Sequence, residues 1–284
     1  MSRTVYVNGE WLAEEEAKIS VFDRAFLMAD GVYEVTSVLD SKLCEYNGHV
    51  ARLHRSLDEL DIQAPCSDDE LLEVHRELVR RNNLVEGTIY LQVTRGEQDR
   101  DFAWGADLKP GIVLFTQERN LSESPVAAKG IRVIAIEDLR WQRRDIKTVQ
   151  LLYPSLAKME AKAAGKDDAW MVEDGHVTEG TSNNAYIVTA DGTIVTRNLS
   201  NSILHGITRS SVLKLAAEAQ MKVEERPFTI EEAQTAKEAF MTAASSFVTP
   251  VVEIDGVPLG DGSPGTLTQR LREIYIENAR ATAI

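Results

Sequence analysis

A polar, aperiodic stretch from Glu118 to Lys129, broken by Pro125, constrains this chain most, because patterned strands and helices lie on both sides of it. Before it, Val5 and Val7 alternate with polar neighbours up to the turn Asn8-Gly9, and Val32 to Leu39 is a β-branched run. Val50, Leu53, Leu57 and Leu60 then recur at helical spacing across residues 49–61. Ser67-x-x-Glu70 is a capping box that opens a second helix, with Leu71, Val74 and Leu78 on one face. Thr88 to Thr94 and Ile112 to Thr116 read as buried strands. After the stretch, Ile131 to Ile136 predicts a strand and Pro154 to Gly165 a helix. Two more strands, Ala169 to Val172 and Ala185 to Val188, are followed by a hairpin turn at Asp191-Gly192. Further helices start near Thr208 and Thr266. The pattern predicts two α+β domains, residues 1–119 and 130–284, joined by a linker at 120–129, with a ligand in the cleft between them.

Charge narrows the ligand. Asp and Glu number 45 against 31 Lys and Arg, a net charge of −14, which argues against nucleic acid or an anionic membrane as partner. The only cysteines, Cys44 and Cys66, need not pair, and the five histidines show no metal-ligand spacing, so no metal site is expected. The first residues lack the apolar run of a signal peptide and no stretch approaches a membrane span, which reads as a cytoplasmic protein.

Four pieces carry chemistry. Lys147, in RRDIKTVQLL, lies among Ile146, Val149, Leu151 and Leu152, so partial burial is expected. Desolvation makes a lysine's neutral amine available, as Schiff-base chemistry requires. In HVTEGTSNNAYIV, Gly180, Thr181, Ser182, Asn183 and Asn184 form a tight, hydroxyl-rich turn just after Glu179. A carboxylate there can hold a pyridine nitrogen protonated and make the ring an electron sink. In ILHGITRSS, Gly206 frees the backbone and Thr208 starts a helix, whose N–H groups and hydroxyl suit a phosphate. Arg52, in HVARLHRSL, lies off its helix's apolar stripe and could reach a phosphate from the other domain. Singly, each also fits a solvated lysine, a surface turn, a capped helix or a surface arginine.

Together, in order and spacing, these pieces resemble the fold-type IV pyridoxal-phosphate enzymes, the branched-chain and D-amino-acid transaminases, and most closely the D-amino-acid type. The likeness runs from VYVNGEW to TPVVEIDG and is most specific in DRAFLMADGVYEV, HVARL, VTRG, DIKTVQLL, VTEGTSNN and ILHGITR. It implies a ping-pong transamination between a D-amino acid and a 2-oxo acid, with Lys147, in the C-terminal domain, as the internal aldimine and proton shuttle. It further implies Glu179 at the pyridine nitrogen, Ser182 beside the cofactor, Leu204 under the ring, and Arg52, Ile207 and Thr208 at the phosphate. Tyr33 would belong to the substrate carboxylate site, reached by Arg100 from the neighbouring subunit of a homodimer with composite active sites.

Two departures stand out. Phe102 occupies a position where relatives carry a histidine, so the carboxylate trap loses a donor. Ala243 and Ala244 replace hydroxyl residues that face the phosphate in relatives, which leaves Ser245 or Ser246 to stand in. The same apparatus also serves branched-chain L-amino-acid transamination, (R)-amine transamination and aminodeoxychorismate lyase chemistry, and a catalytically silent cofactor-binding scaffold is a further alternative. Tyr33 in GVYEV and Arg100 after VTRGE favour the D-amino-acid reading, and intact Lys147 and Glu179 speak against a silent scaffold.

Overall fold

Asn8 and Gly9 both adopt positive φ, 49° and 96°, the conformation a two-residue hairpin turn demands. They join β1 (Thr4–Val7) to β2 (Glu10–Ala13) in the computed structural model, which describes residues 2–284. A short helix α1 (Arg24–Met28) follows, then β3 (Gly31–Leu39), β4 (Lys42–Leu43), α2 (Tyr46–Asp58), α3 (Asp68–Arg81), β5 (Gly87–Thr94) and β6 (Gly111–Glu118). The six strands form one antiparallel sheet in the order β2-β1-β6-β5-β3-β4. The capping box at Ser67 is formed: its hydroxyl accepts from the Glu70 N–H, and the Glu70 carboxylate accepts from the Ser67 N–H. Leu53, Leu57, Leu71, Val74 and Leu78 of the two long helices share one core with Val32, Ile89, Leu91, Val93 and Leu114 of the sheet.

The remaining elements are α4 (Pro125–Lys129), β7 (Ile131–Glu137), α5 (Leu152–Ala163), β8 (Asp168–Glu173), β9 (His176–Gly180), β10 (Asn184–Val188), β11 (Ile194–Thr196), α6 (Ile207–Glu218), β12 (Val223–Glu225), α7 (Ile230–Gln234), β13 (Glu238–Ala243), β14 (Phe247–Ile254), β15 (Val257–Pro258) and α8 (Thr266–Thr282). Their strands make a second, mixed sheet, β12-β11-β10-β13-β14-β7-β8-β9, with β15 on β14. Its core gathers Val133, Trp170, Val177, Ile187, Phe228 and Ile254. The stretch expected to be an unstructured linker contains α4, where the Ser124 hydroxyl accepts from the Ala127 N–H and Pro125 fills the first turn. Five residues are too few to show a helical period.

The chain divides into two compact units: residues 1–120 with 146–150 and 279–284, and residues 121–145 with 151–278. Lys147 therefore packs with the first unit, whereas the sequence reading placed it in the C-terminal domain. The cause is backbone pairing with β3: the Tyr33 N–H donates to the Lys147 carbonyl at 3.0 Å, and the Val149 N–H donates to the Gly31 carbonyl at 3.1 Å. Ile146 is buried in the first unit's core. Leu151 and Leu152, expected to help bury the lysine, are exposed. No helix among the described residues is long and apolar enough to cross a membrane.

Candidate active site

Strand alternation sorts the residues of GVYEV. Tyr33 and Val35 share a face with their partners Gln92 and Tyr90, while Glu34 points to the opposite face with Leu91. The Tyr33 ring stacks on Tyr90 at 5.6 Å, and Tyr90 stacks on Phe115 at 4.9 Å. Lys147 Nζ lies 4.0 Å from the centre of the Tyr33 ring, so the half-buried amine and this aromatic face meet within the first unit.

Behind that face, Arg52 lies off the apolar stripe of its helix yet is buried. Its Nε and Nη2 donate to the two oxygens of Glu34, each at 2.7 Å, and His49 Nδ1 lies 2.8 Å from the same carboxylate. A buried guanidinium needs such a partner, and Glu34 supplies it from a position that helical periodicity along α2 alone does not reveal. Burial raises the Glu34 pKa, but Arg52 beside it outweighs burial and holds the carboxyl well below the usual range.

In the second unit, Glu179 is the next-to-last residue of β9 and is 3% exposed. Its Oε1 accepts from Arg140 Nη1 at 2.6 Å, and its Oε2 accepts from Asn184 Nδ2 at 3.1 Å and from the Leu204 N–H at 3.0 Å. Burial raises the Glu179 carboxyl above its ordinary range, and Arg140 and the Leu204 N–H offset only part of that rise. Asn184 also donates to the Leu204 carbonyl at 3.0 Å, so one amide fastens the 204–206 loop to the carboxylate. A Cβ on Gly206 would collide with Asn184 Oδ1, so this glycine serves a close approach as well as the helix start.

α6 begins at Ile207 with Gly206 as an N-cap that offers no side-chain bond. The N–H groups of Ile207 and Thr208 have no intrahelical partner by construction. Thr208 is 2% exposed, and its Oγ1 has no hydrogen-bond partner among the described residues. A buried orphan hydroxyl beside open helix N–H groups fits an anion such as phosphate. A carboxylate has about four acceptor sites, and Glu179 uses three, which leaves Oε1 able to take one more donor, such as a ring N–H.

Ser182 is exposed, in a turn that Thr181 and Asn183 tie to Asp168 at 2.6 and 2.9 Å. Ser245 is exposed in the turn between β13 and β14, and Ser246 is half-buried. Arg100 and Phe102 lie on an exposed loop, with the guanidinium 5.6 Å from the Phe102 ring, which is 79% exposed. Sequence reasoning missed what holds this loop. Arg24 Nη1 donates to the Asp101 carbonyl at 2.7 Å, and Arg24 and Arg95 share Asp30 and flank the Trp104 ring. It also missed Arg140 as the partner of Glu179; the cluster of acidic and basic residues in EDLRWQRRD, at the end of β7, was the available signal. A cavity of about 1190 Å³ in the first unit, lined by Tyr6, Trp11, Glu70, Glu73 and Lys109, includes none of these residues.

The model of the amino-transferase class IV family matches residues 31–254. The chain belongs to this family. Among curated relatives, it is 36% identical to a D-alanine aminotransferase of Staphylococcus aureus over 96% of this chain and 98% of that one. It is 38% identical to the D-alanine aminotransferase of Bacillus licheniformis over 94% of each. Among solved structures, the branched-chain aminotransferase of Escherichia coli superposes with a TM-score of 0.90 at 26% identity, covering 98% of this chain and 95% of that one. A branched-chain aminotransferase of T.th., complexed with N-(5'-phosphopyridoxyl)-L-glutamate, gives a TM-score of 0.90 at 30% identity over 99% and 95%. Within the second unit, the spare acceptor site on Glu179 and the orphan hydroxyl of Thr208 fit a phosphorylated pyridine.

Proposed function

We propose that this class IV aminotransferase transfers amino groups between a D-amino acid and a 2-oxo acid with pyridoxal phosphate. The observation that carries the reading is the pairing of a buried carboxylate with one acceptor site to spare and a buried orphan hydroxyl at a helix start, both within the residues the family model matches. The D-alanine aminotransferases at 36% and 38% identity favour the D-amino-acid branch over the branched-chain one. Bound pyridoxal phosphate supplies an electron sink, drawing density from the substrate α-carbon through a protonated ring.

The chain's own groups do the rest. Ile207 N–H, Thr208 N–H and Thr208 Oγ1 hold the phosphate, with Arg52 as a further cation and Ser182, Ser245 and Leu204 as flanking contacts. Glu179 Oε1 keeps the proton on the ring nitrogen, where it matters most as negative charge develops. Lys147 Nζ would hold the cofactor covalently at rest and, once displaced by substrate, would be the amine placed to take up the α-proton. Tyr33 lines the substrate side, and Arg100 from a second copy grips the carboxylate in a two-toothed fork, which makes the working form a homodimer. With Phe102 in place of a donor, that grip rests on fewer groups, which admits some activity on (R)-amines. The reading places this acidic chain in the cytoplasm.

The test is borohydride reduction of the holoenzyme followed by peptide mapping. The reading expects the cofactor fixed on Lys147. Label on Lys158, which pairs with Asp168 at 3.2 Å, or on Lys162 overturns it.

A further inference from the structure

Arg140 belongs to a chain of alternating charges running back from Glu179. Its Nη1 donates to Glu179 Oε1 at 2.6 Å, while its Nε and Nη2 fork onto the two oxygens of Asp138 at 2.9 and 2.7 Å. Asp138 also accepts from the Thr178 hydroxyl at 2.6 Å and lies 3.5 Å from Arg144 Nη1. Arg144 forks in turn onto Glu173, at 2.9 and 2.7 Å, and donates to the Arg140 carbonyl at 3.2 Å. The Arg140 side chain is only 12% exposed. Every fork is two-toothed, so Arg140 is fixed in angle as well as position.

The chain sets three carboxylates (Glu173, Asp138, Glu179) against two guanidinia (Arg140, Arg144). One negative charge is left over, and Glu179, at the buried end, is where a protonated ring nitrogen would complete the alternation. A lone buried carboxylate would take up a proton and lose that function.

We propose that Arg140, braced by Asp138, Thr178 and Arg144, is a positioning residue that keeps Glu179 ionised and aimed at the cofactor's ring nitrogen. The inference rests on the role given to Glu179 above. The groups facing Glu179 are Arg140 and Asp138 from the segment after β7, Asn184 from β10, and the Leu204 N–H. Of these, Arg140 is the only cation. Removing it lets the carboxyl protonate at higher pH, so the acid limb of turnover moves upward.

The experiment compares holoenzymes carrying Arg140→Met, Arg140→Lys, Glu179→Gln, and Arg140→Met with Glu179→Gln. Each is followed by kcat and KM across pH, by its visible absorption across pH, and by unfolding of the cofactor-free protein. Arg140→Met is expected to lower kcat about tenfold or more, the usual scale for losing a group that orients a ligand, with KM for the amino donor little changed. The acid limb and the spectral transition should both shift to higher pH. Arg140→Lys should restore part of both, and adding Arg140→Met to Glu179→Gln should cost little more. An unmoved pH profile and spectrum in Arg140→Met, or loss of unfolding stability alone, overturns the proposal. If Glu179→Gln itself leaves kcat and spectrum unchanged, the reading of Glu179 fails instead.

Discussion

Replacing Glu34 with glutamine should destabilise the first unit severely, although Glu34 touches neither Lys147 nor any group assigned to substrate. Arg52 keeps its positive charge, its side chain is 7% exposed, and two hydrogen bonds of 2.7 Å each hold it to Glu34. A hydrogen bond to a charged group contributes roughly 1.5–3 kcal/mol. Removing one partner of a buried pair typically costs about 3–5 kcal/mol, because the other charge stays behind unpaired. Glutamine retains a single acceptor oxygen and turns an N–H donor toward the guanidinium and His49. We therefore expect a loss of about 4 kcal/mol for Glu34→Gln, a large share of the ~5–15 kcal/mol that holds a domain together. Arg52→Met should cost less, and Glu34→Met with Arg52→Met less than the sum of its single changes, by roughly 2 kcal/mol or more. Urea unfolding of the cofactor-free protein reads all four. A Glu34→Gln loss below about 1 kcal/mol, or single changes that simply add, would refute the argument that a buried two-toothed pair fixes this corner.

Three further outcomes follow from named groups. His75 is fully buried, donates to the Leu71 carbonyl, and has its pKa lowered by burial to about 4 from the ordinary 6.5. The unfolded chain binds that proton more readily, so its contribution is complete above pH 6.5 and is lost as pH falls toward 4, by up to about 3 kcal/mol. Urea midpoints measured across this window should drop in the wild type and flatten in His75→Phe; parallel curves would contradict it. Gly206→Ala should displace Asn184 and loosen the Leu204 loop, weakening retention of cofactor on dialysis, and unchanged retention would show that the approach is not tight. Arg100→Ala should impair D-amino acids more than (R)-amines, and a defect confined to L-leucine would tell against its role at the carboxylate.

Local signals were legible and long-range ones were not. The Asn8-Gly9 hairpin and the Ser67 box were read correctly because each is a contact between residues within four positions of one another. The motif around Glu179 pointed to a carboxylate suited to a pyridine nitrogen, but not to its burial or to the three donors that surround it. Its partner Arg140 lies 39 residues away, and Glu34 lies 18 from Arg52, separations at which no periodicity links two side chains. Helical spacing placed Arg52 off the stripe because it counts apolar residues, and this position buries a charge with its counter-ion. The segment of Lys147 joined the first unit through two backbone bonds to β3, which leave no mark on composition. The short helix α4 escaped for a different reason, being over before a period can build.

The central claim is a D-specific transamination, and a single comparison addresses it. Initial rates of pyruvate formation from D-alanine and of the branched 2-oxo acid from L-leucine, each with 2-oxoglutarate and added pyridoxal phosphate, should differ by orders of magnitude in favour of D-alanine. Lys147→Ala should abolish both. Equal rates, or a preference for L-leucine, would contradict the assignment of this chain to the D-amino-acid branch.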